Sequence, residues 1–300
     1  MYKRQILDIA KEIDYYPNQI ARGLVTNQTS TIGLVVPDNT NPFFANIARG
    51  VEDLAFERGY NIFLINTAED VTREKKALDS LWQKGVDGLI LCSSRLPNIE
   101  LEKQIERFPA TILINRELKK PIPSSITINL NDLQGAQLAV THFLNLGKRN
   151  IAHISGPANS ISGQKRLAGF KLALNTAEIP FNSSYVQNCA PDTESGYEAG
   201  KELLTAHPEI DAIYAFNDLI AVGLIQYCLE VGKHIPQEIA IIGVDDIPLA
   251  SLVRPRLTTL HVNQNYIGKL AMRTLLEIIM GESSPLAVLI EPELLLRESA

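Results

Sequence analysis

Four sets of residues in this chain have the chemistry and placement to bind a polar molecule. Asn115-Arg116, Asn217-Asp218 and Asp245-Asp246 each directly follow an apolar run. That places each pair at the carboxyl end of a strand, the edge where open α/β sheets take their ligands. The fourth set is Phe43-Phe44, in the loop beyond the apolar run 32–36. Amides, carboxylates and a guanidinium at one edge offer directional hydrogen bonds, and adjacent aromatic rings offer a wall for a flat or ring-shaped molecule. Two neighbours cannot point the same way, so one ring is expected to lack a core partner. Arg166 joins the set: a helix predicted over 165–175 places it in the first turn, where the helix dipole disfavours a cation, so an anionic or acceptor-rich group should compensate it. The competing readings are structural. Asn217 and Asp218 suit a helix cap equally well, and both rings could pack as core. Asp245 and Asp246, as neighbours on extended chain, point to opposite sides and do not share one substrate bond. There is no G-x-S-x-G, no phosphate-binding loop, no dinucleotide fingerprint and no metal-ligand spacing among the five histidines. The set reads as a binding site, with no catalytic residue, no metal and no cofactor.

The stretch 32–66 is the unit that must position it. An almost wholly apolar run, 32–36, is ended by Pro37-Asp38 and reads as a strand buried on both faces. Asn41 is placed to cap a helix beginning at Pro42, whose missing N–H costs nothing there. Ile47, Val51, Leu54 and Ala55 form its apolar stripe, Gly59 supplies a left-handed cap, and 60–65 is the next strand. The alternation continues with strands predicted at 88–91, 111–114 and 126–130 and with a helix placing Leu78, Leu81 and Trp82 in the core. After the stiff loop 121–125 the pattern starts afresh: helix 132–146, strand 151–155, helix 165–175, then strands at 212–216 and 239–244 around a helix over 219–231 that buries Cys228. A long helix carrying Ile267, Ala271 and Leu275 follows, and 286–296 supplies late strand material. The fold class is α/β, two doubly wound parallel-sheet units.

Composition narrows the function. With 45% apolar and 21% charged residues the chain has an ample core, and a net charge of -6 argues against coating nucleic acid over its whole surface. Three well-separated cysteines and no apolar leader or membrane-length run point to a reducing, cytoplasmic setting and no membrane. Residues 1–30 stand apart: a short amphipathic helix, a break at Tyr16-Pro17-Asn18, and a second short helix over about 19–26. Gly23 weakens that helix by roughly 1 kcal/mol, so it should fold only against a partner. A polar linker, 26–31, joins it to the first strand.

Taken in order, a series of motifs resembles the LacI/GalR family of bacterial transcriptional regulators from about Lys3 onward. They are Tyr16-Pro17-Asn18 with Ala21-Arg22-Gly23-Leu24, Thr31-Ile32-Gly33-Leu34, Asn41-Pro42-Phe43-Phe44, Gly59-Tyr60, Val86-Asp87-Gly88, Gly156-Pro157 with Arg166-Leu167-Ala168-Gly169-Phe170, Phe216-Asn217-Asp218, Gly243-Val244-Asp245-Asp246 and Leu257-Thr258-Thr259. The resemblance implies periplasmic-binding-protein-like subdomains of type I, about 31–130 with 262–284 and about 131–261 with 285–300, joined by three crossovers near Leu130, 259–263 and 283–286. It implies a small effector, a sugar or nucleoside-like molecule, held between them by Phe43, Phe44, Asn115, Arg116, Arg166, Asn217 and Asp245. Cleft closure would then control a homodimer on operator DNA. Residues 1–30 would be the remnant of a DNA-binding domain and a hinge helix contacting DNA through Asn18, Ala21, Arg22 and Leu24, with Leu24 as the minor-groove wedge. The family's first two DNA-reading helices precede this segment, so the chain as given is expected to bind DNA without sequence selectivity. Asn131-Asp132, Pro191 and Val262 depart from the family's usual residues and leave the effector's identity open. A solute-binding receptor for sugar transport is the competing class, and residues 3–26 argue against it.

Overall fold

The computed structural model describes residues 28–282 and 287–300, with Glu12 alone before them. The expected hinge residues Asn18, Ala21, Arg22 and Leu24 lie outside the described residues.

The chain begins as β1 (Thr31–Val36), α1 (Pro42–Glu57), β2 (Asn61–Asn66), α2 (Val71–Gln83), β3 (Gly88–Cys92), α3 (Asn98–Ile105), β4 (Thr111–Ile114) and β5 (Ser125–Leu130). It then enters a second unit of α4 (Asp132–Asn145), β6 (Ile151–Ser155), α5 (Ile161–Thr176), β7 (Val186–Asn188), α6 (Thr193–Ala206), β8 (Ala212–Ala215), α7 (Asp218–Glu230), β9 (Ala240–Asp245), α8 (Pro248–Leu252) and β10 (Thr258–His261). It returns to the first unit as α9 (Gln264–Ile279) and β11 (Ala287–Ile290), and ends in the second as β12 (Glu293–Leu295).

Each unit is a six-stranded sheet, ordered β11-β5-β4-β3-β1-β2 in one and β12-β10-β9-β8-β6-β7 in the other. Every pairing is parallel except that of β12 with β10. All residues of β1, β3, β4, β6, β8 and β9 are buried, as strands covered by helices on both faces must be. The first sheet lies between α1 with α9 on one face and α2 with α3 on the other; the second lies between α6 with α7 and α4 with α5. This is the two-subdomain, doubly wound architecture expected.

Glycines set how closely these helices approach. A Cβ at Gly50 of α1 would stand 2.1 Å from the Asn265 carbonyl oxygen of α9, and one at Gly268 would stand 2.1 Å from that of Ile47. The two helices therefore pack backbone to backbone. Gly50→Ala is expected to cost about 1–3 kcal/mol through overpacking, seen as a lower urea midpoint at unchanged slope; an unshifted midpoint would show that the helices separate freely.

Three predicted details are corrected. Trp82 is not core: the buried face of α2 is Glu74, Ala77, Leu78 and Leu81, and Trp82, one residue beyond that stripe, is 49% exposed beneath the Arg107 guanidinium, 4.3 Å from its ring centroid. The helix carrying Arg166 starts at Ile161 behind an Ser160 cap, so Arg166 lies in the second turn, not the first. The last crossover falls at Glu291-Pro292 rather than near 283–286, because Ala287–Ile290 pairs with β5 in the first sheet.

The crossovers are tied together. The amide N–H of Asn131, just past β5, donates to the Ile290 carbonyl at 2.9 Å, and its side-chain amide donates to the Glu291 carboxylate at 2.9 and 3.1 Å. Asp246 accepts from Arg297 at 2.5 Å and pairs with His261, at the end of β10, at 2.8 Å. At the entrance to β1, the Thr29 and Ser30 amides both donate to Asp87 at 2.8 Å. The linker is thus anchored by Thr29, and amides 29 and 30 should resist hydrogen exchange.

Candidate functional site

The carboxyl ends of the two sheets face each other across a narrow cleft lined by residues of both subdomains. The first subdomain's wall comes from the ends of β1, β2, β3 and β4 and the start of α1; the second's comes from the start of α5, the Pro191 loop, the β8–α7 turn and Asp245.

The aromatic wall starts with Asn41, whose side-chain oxygen accepts from the Phe43 amide at 3.0 Å and caps α1. Phe43 and Phe44 follow in the first turn. Both are buried, and they pack edge to face, with centroids 5.1 Å apart and planes at 87°. Both nevertheless line the cleft, so neither ring is left over: each is a core residue and a wall residue. Phe216 stands on the opposite wall over Gly156, where a Cβ would come within 2.8 Å of the ring. Three rings thus flank the cleft.

Arg166 is 3% exposed and is compensated from within the protein. Its Nε donates to Asp132 at 2.8 Å, its Nη1 donates to the Phe216 carbonyl, and its guanidinium lies 4.7 Å from the Phe216 ring centroid. Burial works against its charge, but Asp132, Tyr214 and Asp245 outweigh burial and push its pKa up, fixing the cation. The expected counter-anion is therefore Asp132, not a ligand.

Asp245 is different. It is 5% exposed, sits at the end of β9 with a positive φ of 110°, and its carboxylate accepts no hydrogen bond among the described residues. Burial pushes its pKa up to about 7, with Arg166 pulling down and Asp132 pushing up. Asn217 caps α7 through the Ile220 amide at 2.9 Å and donates to the Pro191 carbonyl at 3.1 Å while lining the cleft, so its structural and binding readings both hold as geometry. Asp218 is wholly structural: fully buried, it accepts from Thr259 at 2.6 Å and the Ile247 amide at 2.9 Å, and burial with Asp245 beside it raises its pKa. Asn115 lines the cleft, its side-chain oxygen accepting from the Leu130 amide at 3.1 Å.

Arg116 is corrected: it does not line the cleft. Asn115, just past β4, adopts left-handed backbone with φ 54°, and the Arg116 side chain turns inward to donate to the Leu96 carbonyl and to Asn98, each at 2.6 Å. The structure adds Asp38, Glu69, Arg95, Ser160, Ser162 and Phe216 to the walls. Arg95 is paired bidentately with Glu69 at 2.6 and 3.1 Å, and its amide donates to the buried Glu74 at 2.9 Å. Among the described residues, no group of His, Cys, Asp or Glu is arranged to hold a metal ion, and no helix is long and apolar enough to cross a membrane.

Residues 29–298 match the family model described as periplasmic binding proteins and sugar binding domain of the LacI family. The ribose operon repressor of Escherichia coli (strain K12) is 35% identical over 271 residues, covering 90% of this chain and 81% of the relative. The HTH-type transcriptional repressor PurR of Photobacterium profundum is 31% identical over 300 residues, covering 99% and 89%. A LacI family transcriptional regulator from Enterococcus faecium with bound ribose superposes with a TM-score of 0.77 at 31% identity, covering 90% of this chain and 98% of that one. Two of these relatives are transcriptional repressors and the third is a LacI family transcriptional regulator with the fold described above, and with the family model spanning nearly the whole sequence the chain belongs to the LacI family of transcriptional regulators.

Proposed function

We propose that this protein is a cytoplasmic, effector-responsive transcriptional repressor whose effector is a neutral aldopentose held between the two subdomains. The observation that carries the reading is Asp245, a buried carboxylate facing the cleft with no side-chain hydrogen-bond donor among the described residues. Such a group needs hydroxyls, and a polyol supplies them. Phe43, Phe44 and Phe216 give the apolar C–H faces of a sugar ring a place to pack, and Arg166 and Asn217 supply donors. The balance of charge argues against an anion: three carboxylates but only two guanidinium groups line the cleft, and both guanidiniums are already paired. The ribose operon repressor and the ribose-bound regulator support the pentose class.

The homodimer belongs to the same reading. Phe56 on α1, at 85% exposure, and the edge strand β2, with Leu64 on the α1 side and Phe63 on the α2 side, give the first subdomain apolar outer surface, and Leu249 and Leu252 on α8 give the second one another. Two copies pairing along both faces would carry residues 1–30 side by side to operator DNA, through Asn18, Ala21, Arg22 and Leu24. Cleft closure would change how the first subdomains sit against each other.

Calorimetric titration with D-ribose, a hexose, a disaccharide and a nucleobase tests the effector class. The expected result is saturable binding of the pentose, raising thermal stability by about 2.7 kcal/mol at 100 times its Kd, with the others markedly weaker. Tight binding of the nucleobase with none of the pentose would refute the sugar reading.

A further inference from the structure

The two arginines of the cleft are neutralised in different ways. Asp132, the partner of Arg166, stands behind the second wall and does not line the cleft; Glu69, the partner of Arg95, lines it. Arg95 is only 6% exposed in its side chain; the buried Glu74 accepts its backbone amide from one side, and Glu69, at 24%, pairs with its guanidinium from the cleft wall. Its placement is costly. Ala68 and Glu69 both adopt left-handed backbone, φ 51° and 57°, and the Glu69 amide is held by the Pro37 carbonyl at 3.0 Å. The loop after β2 thereby folds back over the end of β1 and brings the carboxylate against Arg95. Of the guanidinium's five N–H groups, Nε and one on Nη2 are spent on Glu69, which leaves three, both on Nη1 and one on Nη2, for a ligand hydroxyl.

Resting on the sugar reading above, we propose that Glu69 is a built-in anion that sets the charge of the accepted ligand, fitting Arg95 to the hydroxyls of a neutral sugar and excluding phosphorylated or carboxylated ones. A phosphate entering the cleft meets Glu69, Asp38 and Asp245 with no unpaired cation to receive it. Without Glu69, Arg95 becomes that cation, a bidentate phosphate binder already in place.

The test is calorimetric titration of D-ribose and D-ribose 5-phosphate into wild type, Glu69→Gln, Glu69→Ala and the double variant Glu69→Gln with Arg95→Gln. Wild type is expected to prefer ribose by about 100-fold or more, and both single variants to shrink that preference at least about tenfold, the size of effect that one juxtaposed like charge produces. The double variant should regain a preference within about threefold of wild type, because the cation that welcomed the phosphate is gone. A merely structural Glu69 would not be rescued by removing its partner. If wild type binds ribose but the single variants keep its preference, or the double variant behaves as the single, the selector is overturned and the sugar reading stands. If wild type binds neither sugar, or prefers the phosphate, the neutral-sugar reading falls and the selector with it.

Discussion

Arg166→Ala is expected to lower folding stability by about 3–5 kcal/mol and to abolish stabilisation by the effector. The guanidinium and its partner Asp132 are 4% and 5% exposed, so removing the cation leaves a carboxylate buried without its counter-charge, a far larger loss than the net worth of the pair. It also removes the donor to the Phe216 carbonyl and the charge beside the Phe216 ring. Asp132 is the first residue of α4, one residue beyond the first crossover, so the same substitution cuts the cleft from the hinge. Urea unfolding of Arg166→Ala, Asp132→Ala and the double variant checks this. Each single change should be severe, and the second change should add little to the first, because the charge it removes is already unpaired. Additive losses would mean that the two side chains act independently.

Part of the site is legible in the sequence through the polar residues that follow apolar strands. The polar pairs after β4, β8 and β9 were recognised because each is an adjacent pair of strong hydrogen-bonding residues. The same carboxyl-edge rule holds after β1, β2, β3 and β5, where Asp38, Glu69, Ser93 to Arg95 and Asp132 sit, and four of those strands' residues, Asp38, Glu69, Ser93 and Arg95, line the cleft. Glu69 was hidden because it lies three residues beyond β2 and reaches the edge only through a left-handed turn that its residue types do not advertise. Arg116 was overread because adjacency says nothing about which of two diverging neighbours faces the ligand. The core of the fold was legible almost throughout, since buried parallel strands appear as continuous apolar runs. Trp82 was not, because its ring needs only a flat cationic cover, which Arg107 supplies from a distant segment.

The contribution of Asp245 to folding stability is expected to fall as pH rises from about 4 to about 7, and Asp245→Asn to remove it. The Asp245 carboxyl is pushed up to about 7 from an ordinary 3.8, chiefly by burial. Between those values the native state holds a proton that the unfolded chain has released, so the contribution is complete below about pH 4 and gone above pH 7, up to about 1.4 kcal/mol per pH unit. The difference between wild type and Asp245→Asn should therefore grow across that window, with the variant the more stable by a few kcal/mol, an order-of-magnitude figure, at pH 8. Asp218, pushed well up by burial with Asp245 adding, contributes a further fall, and the buried His153, held down to about 4, an opposing rise, so the difference between wild type and Asp245→Asn is the quantity to read. Effector binding should have the opposite sign. Hydroxyl donors favour the charged carboxylate, so affinity should rise through pH 7 and binding at pH 6 should release a proton, read by calorimetry in buffers of different ionisation enthalpy. A difference curve flat from pH 4 to 8 would show that Asp245 does not titrate there.

The central claim, one small molecule gripped by both subdomains at once, is tested most directly by hydrogen exchange of the whole chain with and without saturating D-ribose. Protection is expected to rise together at the start of α1, around Phe43 to Ile47, and at the β8–α7 turn, around Asn217 to Ala221. Protection confined to one wall, or appearing only away from the cleft, would contradict it.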